Sequence, residues 1–298
     1  MIKYVISGLT IELVAPEWIL HDNLKAFLID NDNTNDSNDI LGTDVCCRIE
    51  FKNKHIAPSY NSKLIVETAG TSIYESDKYF NILFNYYDDI VYSMVVSRDW
   101  SDYILLINKK YQDSVNKDSV QRVRNSVFRA LRKVMISSLL KKKGLFIHSS
   151  SIIWNGKGVL FSAPSKTGKS THANLWKQIY GTPILDGDVN ACRIIDDVPI
   201  IYGLPWCGTS DEYLNSSVPL RAIVFLQQDK INSIKKLDFQ EALLRLYARC
   251  FLLPWNNAMA NMFIDIVQEV VTKTDCYLLN CLPDADAVEL VRNCLIEK

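Results

Sequence analysis

The residues best equipped for chemistry fall in one run, Val159-Leu-Phe-Ser-Ala-Pro-Ser-Lys-Thr-Gly-Lys-Ser-Thr171. It reads as an apolar strand, a tight loop and the start of a helix. Such a turn gathers backbone N–H groups ahead of the helix, where the helix dipole favours an anion. In this arrangement Gly168 lets the backbone approach a phosphate closely, and Lys169 reaches the β- and γ-phosphates of a nucleoside triphosphate. The Ser170 hydroxyl would then ligate Mg²⁺, and Thr171 would donate to the α-phosphate. Ala163, Pro164, Ser165, Lys166 and Thr167 complete the expected nucleotide-binding segment. The fit to G-x-x-x-x-G-K-[ST] is incomplete, because Ala163 stands at the first glycine position. Lys166 reads equally as a second phosphate contact or as a solvated charge.

Downstream, Leu185-Asp186-Gly187-Asp188 follows an apolar stretch, with Asp188 lying 20 positions beyond Gly168 (188 − 168). Mg²⁺ needs hard oxygen ligands and an attacking hydroxyl needs a base, so Asp188 suits either task and Asp186 is a further metal candidate. The plain alternative is a surface turn at Asp-Gly-Asp. His148 ends a strand leading towards the same loop, as a catalytic candidate or a hydrogen-bonded structural histidine. His172, in the first helical turn, reads as structural. In Gly203-Leu-Pro-Trp-Cys-Gly208, Trp206 either stacks on a ligand or plugs the core, and Cys207 is a weak nucleophile candidate.

These residues need elements to position them. In the first third, strands are expected over 4–6, 10–14, 45–51, 64–67, 90–96 and 103–107. The polar run 30–39 reads as a loop, since a calcium-loop template begun at Asp30 puts Asn35 at the glycine position and Leu41 at the bidentate glutamate. Apolar residues at helical spacing from Val120 to Leu139 predict an amphipathic helix over 119–143, closed by three lysines and Gly144 as its left-handed cap. The second half then alternates. Strands are expected over 145–148, 151–154, 158–162, 183–185, 189–195, 200–202, 221–227 and 276–279. Helices are expected over 169–180, 239–250, 258–272 and 285–296, and Asn155-Gly156 marks a hairpin.

The chain has 298 residues, 48% hydrophobic and 22% charged, which is an ordinary globular balance. A net charge of −1 supplies no global field for nucleic acid or anionic lipid. No uncharged apolar run approaches the ~20 residues that cross a bilayer. Eight cysteines without a C-x-x-C pair read as reduced thiols. The expectation is a cytoplasmic protein without nucleic-acid or membrane partners, with a homo-oligomer left open.

Taken together, His148, the glycine-bearing hairpin, the loop APSKTGKS and the Asp186-Gly-Asp188 strand end resemble the catalytic core of HPr kinase/phosphorylase and its phosphoenolpyruvate-carboxykinase-like relatives. The resemblance covers about residues 145–298 and is closest to the kinases encoded with ribosomally made peptides. It implies an α/β (α+β) fold in which a P-loop core with a mixed sheet, 119–298, follows a β-rich N-terminal region, 1–118. It also implies ATP and Mg²⁺, with Lys169 holding phosphates, Ser170 a metal ligand and Asp188 matching the second acid of an Asp-Asp pair. Ala163, Lys166 and Gly187 depart from the family pattern, and its G-x-G signature with a nearby glutamate is absent. The leading expectation is a kinase acting on a Ser or Thr hydroxyl of a peptide or small protein, with 1–118 recognising it by strand addition. A kinase for a small metabolite, or a nucleotide-dependent assembly protein without transfer, stays open beside it.

Overall fold

The computed structural model describes residues 1–29, 42–54, 61–84, 90–208, 210–252 and 256–296. The expected loop and calcium template at 30–41 lie outside the described residues. The chain divides into two compact units, Met1–Lys141 with Leu253–Asn257, and Lys142–Leu252 with Ala258–Lys298.

Among the described residues, the first unit is an eight-stranded sheet with a helix on it. Its strands are β1 (Ile2–Ile6), β2 (Leu9–Val14), β3 (Val45–Lys52), β4 (Lys63–Glu67), β5 (Thr71–Glu75), β6 (Tyr79–Phe84), β7 (Val91–Ser97) and β8 (Asp102–Asn108). They lie in the order β1-β2-β3-β8-β7-β6-β5-β4. The β2–β3 and β3–β8 pairs are parallel and the others antiparallel. Helix α1 (Lys117–Lys141) buries Val123, Val127, Leu131, Val134 and Met135, the apolar stripe expected from the sequence. The Tyr103 hydroxyl meets that of Ser138 at 2.9 Å, tying β8 to the helix. Helix α1, which the sequence reading places with the second half of the chain, falls within this unit. Its left-handed closing residue is Lys143, with φ 55°, and Gly144 already belongs to the next strand.

The second unit is mixed α/β. In chain order it comprises β9 (Gly144–Trp154), β10 (Lys157–Ser162), α2 (Lys169–Tyr180), β11 (Ile184–Asp186), β12 (Val189–Ile195), β13 (Val198–Tyr202), β14 (Ser217–Gln228), β15 (Ser233–Lys236), α3 (Phe239–Tyr247), β16 (Cys250–Phe251), α4 (Asn257–Lys273), β17 (Asp275–Cys281) and α5 (Ala285–Ile296). Asn155 and Gly156 both take positive φ, 49° and 73°, which closes the β9–β10 hairpin as the sequence indicates. Strand β14 pairs with β13 through its first residues and in parallel with β10 further along, so β9, β12, β13, β14 and β10 close a ring of pairings. Strand β17 continues in parallel beyond β14. Phe161, Trp176, Val224, Leu279, Val288 and Val291 fill the layer between this sheet and helices α2 and α5.

Strand β9 is the organising element of this unit. Its first half lies between β12 and β16, and its second half between β10 or β11 neighbours, with His148 at the changeover. Where β10 leaves the sheet after Ser162, β16 takes the vacated place beside β9.

Candidate functional site

The departure of β10 builds the loop. Thr167 N–H donates to the Pro164 carbonyl at 3.4 Å, while Lys166 and Gly168 take left-handed conformations at φ 65° and 113°. Gly168 is the N-cap of α2, and its carbonyl accepts from His172 N–H at 2.9 Å. A glycine cap offers no side-chain oxygen to the first-turn N–H groups, so these donors are left for another acceptor. Pro164, Ser165, Lys166, Ser170 and Thr171 are exposed, while Ala163 is buried with its methyl in the core cluster. Ala163 therefore keeps only its backbone for a ligand, because the apolar face of β10 continues through it. Lys166 shows that the loop closes without a glycine at that position.

Lys169 is buried against the loop, its ammonium donating to the carbonyls of Ala163 at 3.3 Å and Pro164 at 3.5 Å. Burial lowers its pKa, the charge of Asp188 opposes that, and Arg249 adds to the lowering. A half-desolvated ammonium beside a second cation is a good receiver of an anion. The Ser170 hydroxyl donates to the Gly187 carbonyl at 3.2 Å and lies 3.4 Å from the Ser150 hydroxyl, which donates to the same carbonyl at 2.7 Å.

The two aspartates have separate fates. Asp186 is fully buried, with Oδ1 accepting from Asp188 and Val189 N–H at 3.0 and 3.1 Å and Oδ2 accepting from Leu204 N–H at 2.8 Å. Burial pushes its pKa up to about 8 against the pull of these three donors. The carboxylate expected as a metal candidate is engaged by backbone amides and ties Leu204 to β11. Asp188 is half-buried, and its Oδ1 lies 3.4 Å from His148 Nε2. Gly208 packs on this carboxylate, since a Cβ built there would stand 2.7 Å from Asp188 Oδ2. Gly187 is also closely packed, as a Cβ there would meet Ser210 Oγ at 2.1 Å and Ser210 Cβ at 2.5 Å.

His148 is positioned by both its peptide groups: its N–H donates to the Arg249 carbonyl at 2.8 Å, and its carbonyl accepts from Ser162 Oγ at 2.9 Å. His172 is structural, accepting from the Trp176 indole at 3.3 Å, and burial holds its pKa down at about 4. Trp206 plugs the core, tilted on Phe146 with centroids 6.1 Å apart. The Cys207 thiol is buried and pushed up to about 11, so it is no nucleophile near neutral pH.

A cavity of about 270 Å³ opens between Ser170, Asp188, Ser210 and Glu212. These are hard oxygen donors, and among the described residues no histidine or cysteine lines the space. The set fits Mg²⁺, which is commonly held by one or two protein oxygens together with substrate phosphates, and Ser170 and Asp188 would hold it. Sequence reasoning missed two contributors. Ser150 lies in a Ser149-Ser-Ser151 run whose hydroxyls are all buried and bonded, and the run itself was the available signal. Arg249 reaches the site only because β16 pairs with β9.

No family model matches the chain, and no curated protein matches it. Among solved structures it is similar to the HPr(Ser) kinase/phosphatase from Coxiella burnetii, with 13% identity over 51% of this chain and 91% of that one and a TM-score of 0.30. So loose a superposition carries no weight for function. Among the described residues, no helix is long and apolar enough to cross a membrane.

Proposed function

We propose that the second unit is a phosphotransferase that moves the γ-phosphoryl group of a nucleoside triphosphate to a Ser or Thr hydroxyl of a peptide or small protein. The reading rests on one observation: a glycine-capped helix start bearing Lys169 and Ser170 shares its mouth with the Asp188–His148 pair.

The backbone N–H groups of Gly168, Lys169, Ser170 and Thr171 and the Lys169 ammonium bind the polyphosphate and balance its charge. For this the ammonium would exchange its weak carbonyl partners at Ala163 and Pro164 for phosphate oxygens. Magnesium, when bound, neutralises phosphate charge and polarises the group being transferred. Asp188 takes the proton of the acceptor hydroxyl as its oxygen attacks phosphorus, and His148 holds the carboxylate in place. The leaving nucleoside diphosphate carries away the electrons of the broken P–O bond. The resemblance of APSKTGKS and Asp188 to the HPr kinase pattern supports the same assignment, including a peptide or small-protein acceptor.

The test uses γ-labelled ATP, Mg²⁺, a panel of Ser/Thr peptides and a panel of small alcohols. Wild type is expected to label peptides, and Asp188→Asn should keep nucleotide binding measured without Mg²⁺ while losing transfer by about 10²–10⁴-fold. Labelling of alcohols alone replaces the peptide by a metabolite. Nucleotide binding without transfer to any acceptor in wild type leaves an assembly protein and sinks the kinase.

A further inference from the structure

A second cavity, of about 490 Å³, opens where β10 and β14 end side by side, and it shares no lining residue with the oxygen-lined space at Asp188. Its position, outside the carboxyl ends of two adjacent parallel strands, is one where α/β sheets hold ligands. Its size falls within the roughly 300–1,000 Å³ of small-molecule sites. Pro164 and Thr167 of the phosphate loop form one wall, so a ligand filling the cavity lies against that loop. Phe225, Leu244 and Ala248 give apolar surface of the kind that grips a flat ring, and Leu244 is 71% exposed.

The polar groups narrow the ligand further. Gln227 and Gln228 present amides that donate and accept, and Gln228 Nε2 already reaches the Thr167 carbonyl at 3.4 Å. Two arginines line the cavity. Arg245 is occupied by Glu241, at 3.0 Å from Nε and 2.7 Å from an Nη nitrogen, whereas Arg249 adds its charge to the side of Lys169. Among the described residues, no carboxylate lines the space. A site that singles out guanine needs strong acceptors for its N1–H and 2-amino donors, and charged oxygen is the strongest.

We infer that this cavity is the nucleoside subsite of the triphosphate site, gripping the purine by apolar contact and amide hydrogen bonds without selecting guanine over adenine. The inference rests on the proposed phosphate loop and deepens it. Binding would run from the loop at Pro164 into the cavity, with Arg249 at the join between sugar and phosphate.

The experiment titrates the full chain, with Mg²⁺, against ATP, GTP and inorganic tripolyphosphate, in wild type and in Ala248→Trp and Gln227→Ala. Residues 248 and 227 are both exposed, and unfolding midpoints check that each variant folds. ATP and GTP should bind within about tenfold of each other, and each at least about tenfold tighter than tripolyphosphate. Ala248→Trp should weaken both nucleotides by about tenfold or more and leave tripolyphosphate unchanged, with Gln227→Ala acting in the same direction by less. If tripolyphosphate binds as tightly as ATP, or if Ala248→Trp alters all three ligands alike or none, the nucleoside assignment fails and the phosphate loop survives. Loss of peptide labelling in Ala248→Trp with unchanged ATP affinity would give the cavity to the acceptor instead. A guanine preference beyond about a hundredfold overturns the statement on base choice. Failure of all three ligands to bind wild type removes the phosphate loop itself.

Discussion

Two helices of the second unit begin in opposite ways. At α3 the N-cap is Asp238, in extended conformation at φ −72° and ψ 168°, and its own Oδ1 accepts from Glu241 N–H at 2.8 Å. At α2 the N-cap is Gly168 at φ 113°, with no side chain to offer, and the next residue is a buried lysine. The first start has its Glu241 donor satisfied by its own cap, which contributes about 1 kcal/mol of stability. The second leaves its donors unsatisfied and places a desolvated cation beside them, an arrangement that gains its missing partner from an anionic ligand. A carboxylate accompanies each start. Asp238 is consumed by its own helix, whereas Asp188 is kept off α2 by Gly208 and His148 and faces the open space.

If that contrast is functional, removing the cation at α2 should be the most damaging change. Lys169→Met keeps an apolar stem of similar length in the same buried place, so the fold should persist. Phosphoryl transfer should fall by about 10²–10³-fold in kcat/KM, the range for a charged group aimed at a transferring group. A variant that binds and turns over nucleotide as wild type does would reduce the α2 start to an ordinary turn.

A smaller change sharpens the role given to the carboxylate. Gly208→Ala places a Cβ against Asp188 in a backbone at φ 66°, so either the loop or the carboxylate must shift. Displacing a base without touching the nucleotide should lower kcat by about tenfold and leave the nucleotide KM unchanged. Equal damage to both constants in steady-state kinetics would mean that Gly208 supports the fold alone.

What the sequence discloses of this contrast depends on how far apart the partners are. Helix α2, the Asn155-Gly156 turn and α5 are legible because spacing and turn chemistry are local. Strand β9 reads as two strands with a break at Ser149 and Ser150, yet their hydroxyls are satisfied inside the sheet by Asn190 and Gly187. Residues 248–250 read as the end of a helix, while α3 stops at Tyr247 and Cys250 pairs with Ile147. Strands β5 and β15 carry polar residues in runs too short or mixed to stand out from their flanks, whereas β6 breaks its apolar run only at Asn81 and is open to a strand reading. The same distance effect governs the site. Lys169 and Ser170 belong to one contiguous run, whereas the fate of Asp186 is decided by the Leu204 amide and that of Arg249 by a strand partner about a hundred positions earlier.

The smallest effect isolates the other half of the comparison. Asp238→Ala removes the α3 cap and leaves the Glu241 N–H to water, since this helix start is exposed. Stability should drop by about 1 kcal/mol in denaturant unfolding with an unchanged m-value. Nucleotide affinity should not move, because the lost bond serves only α3. That outcome requires the two starts to be energetically independent. A parallel loss of ATP binding would show instead that α3 transmits its stability to Arg249 and the β16 pairing, and the division between a closed start and an open one would have to be redrawn around that corner.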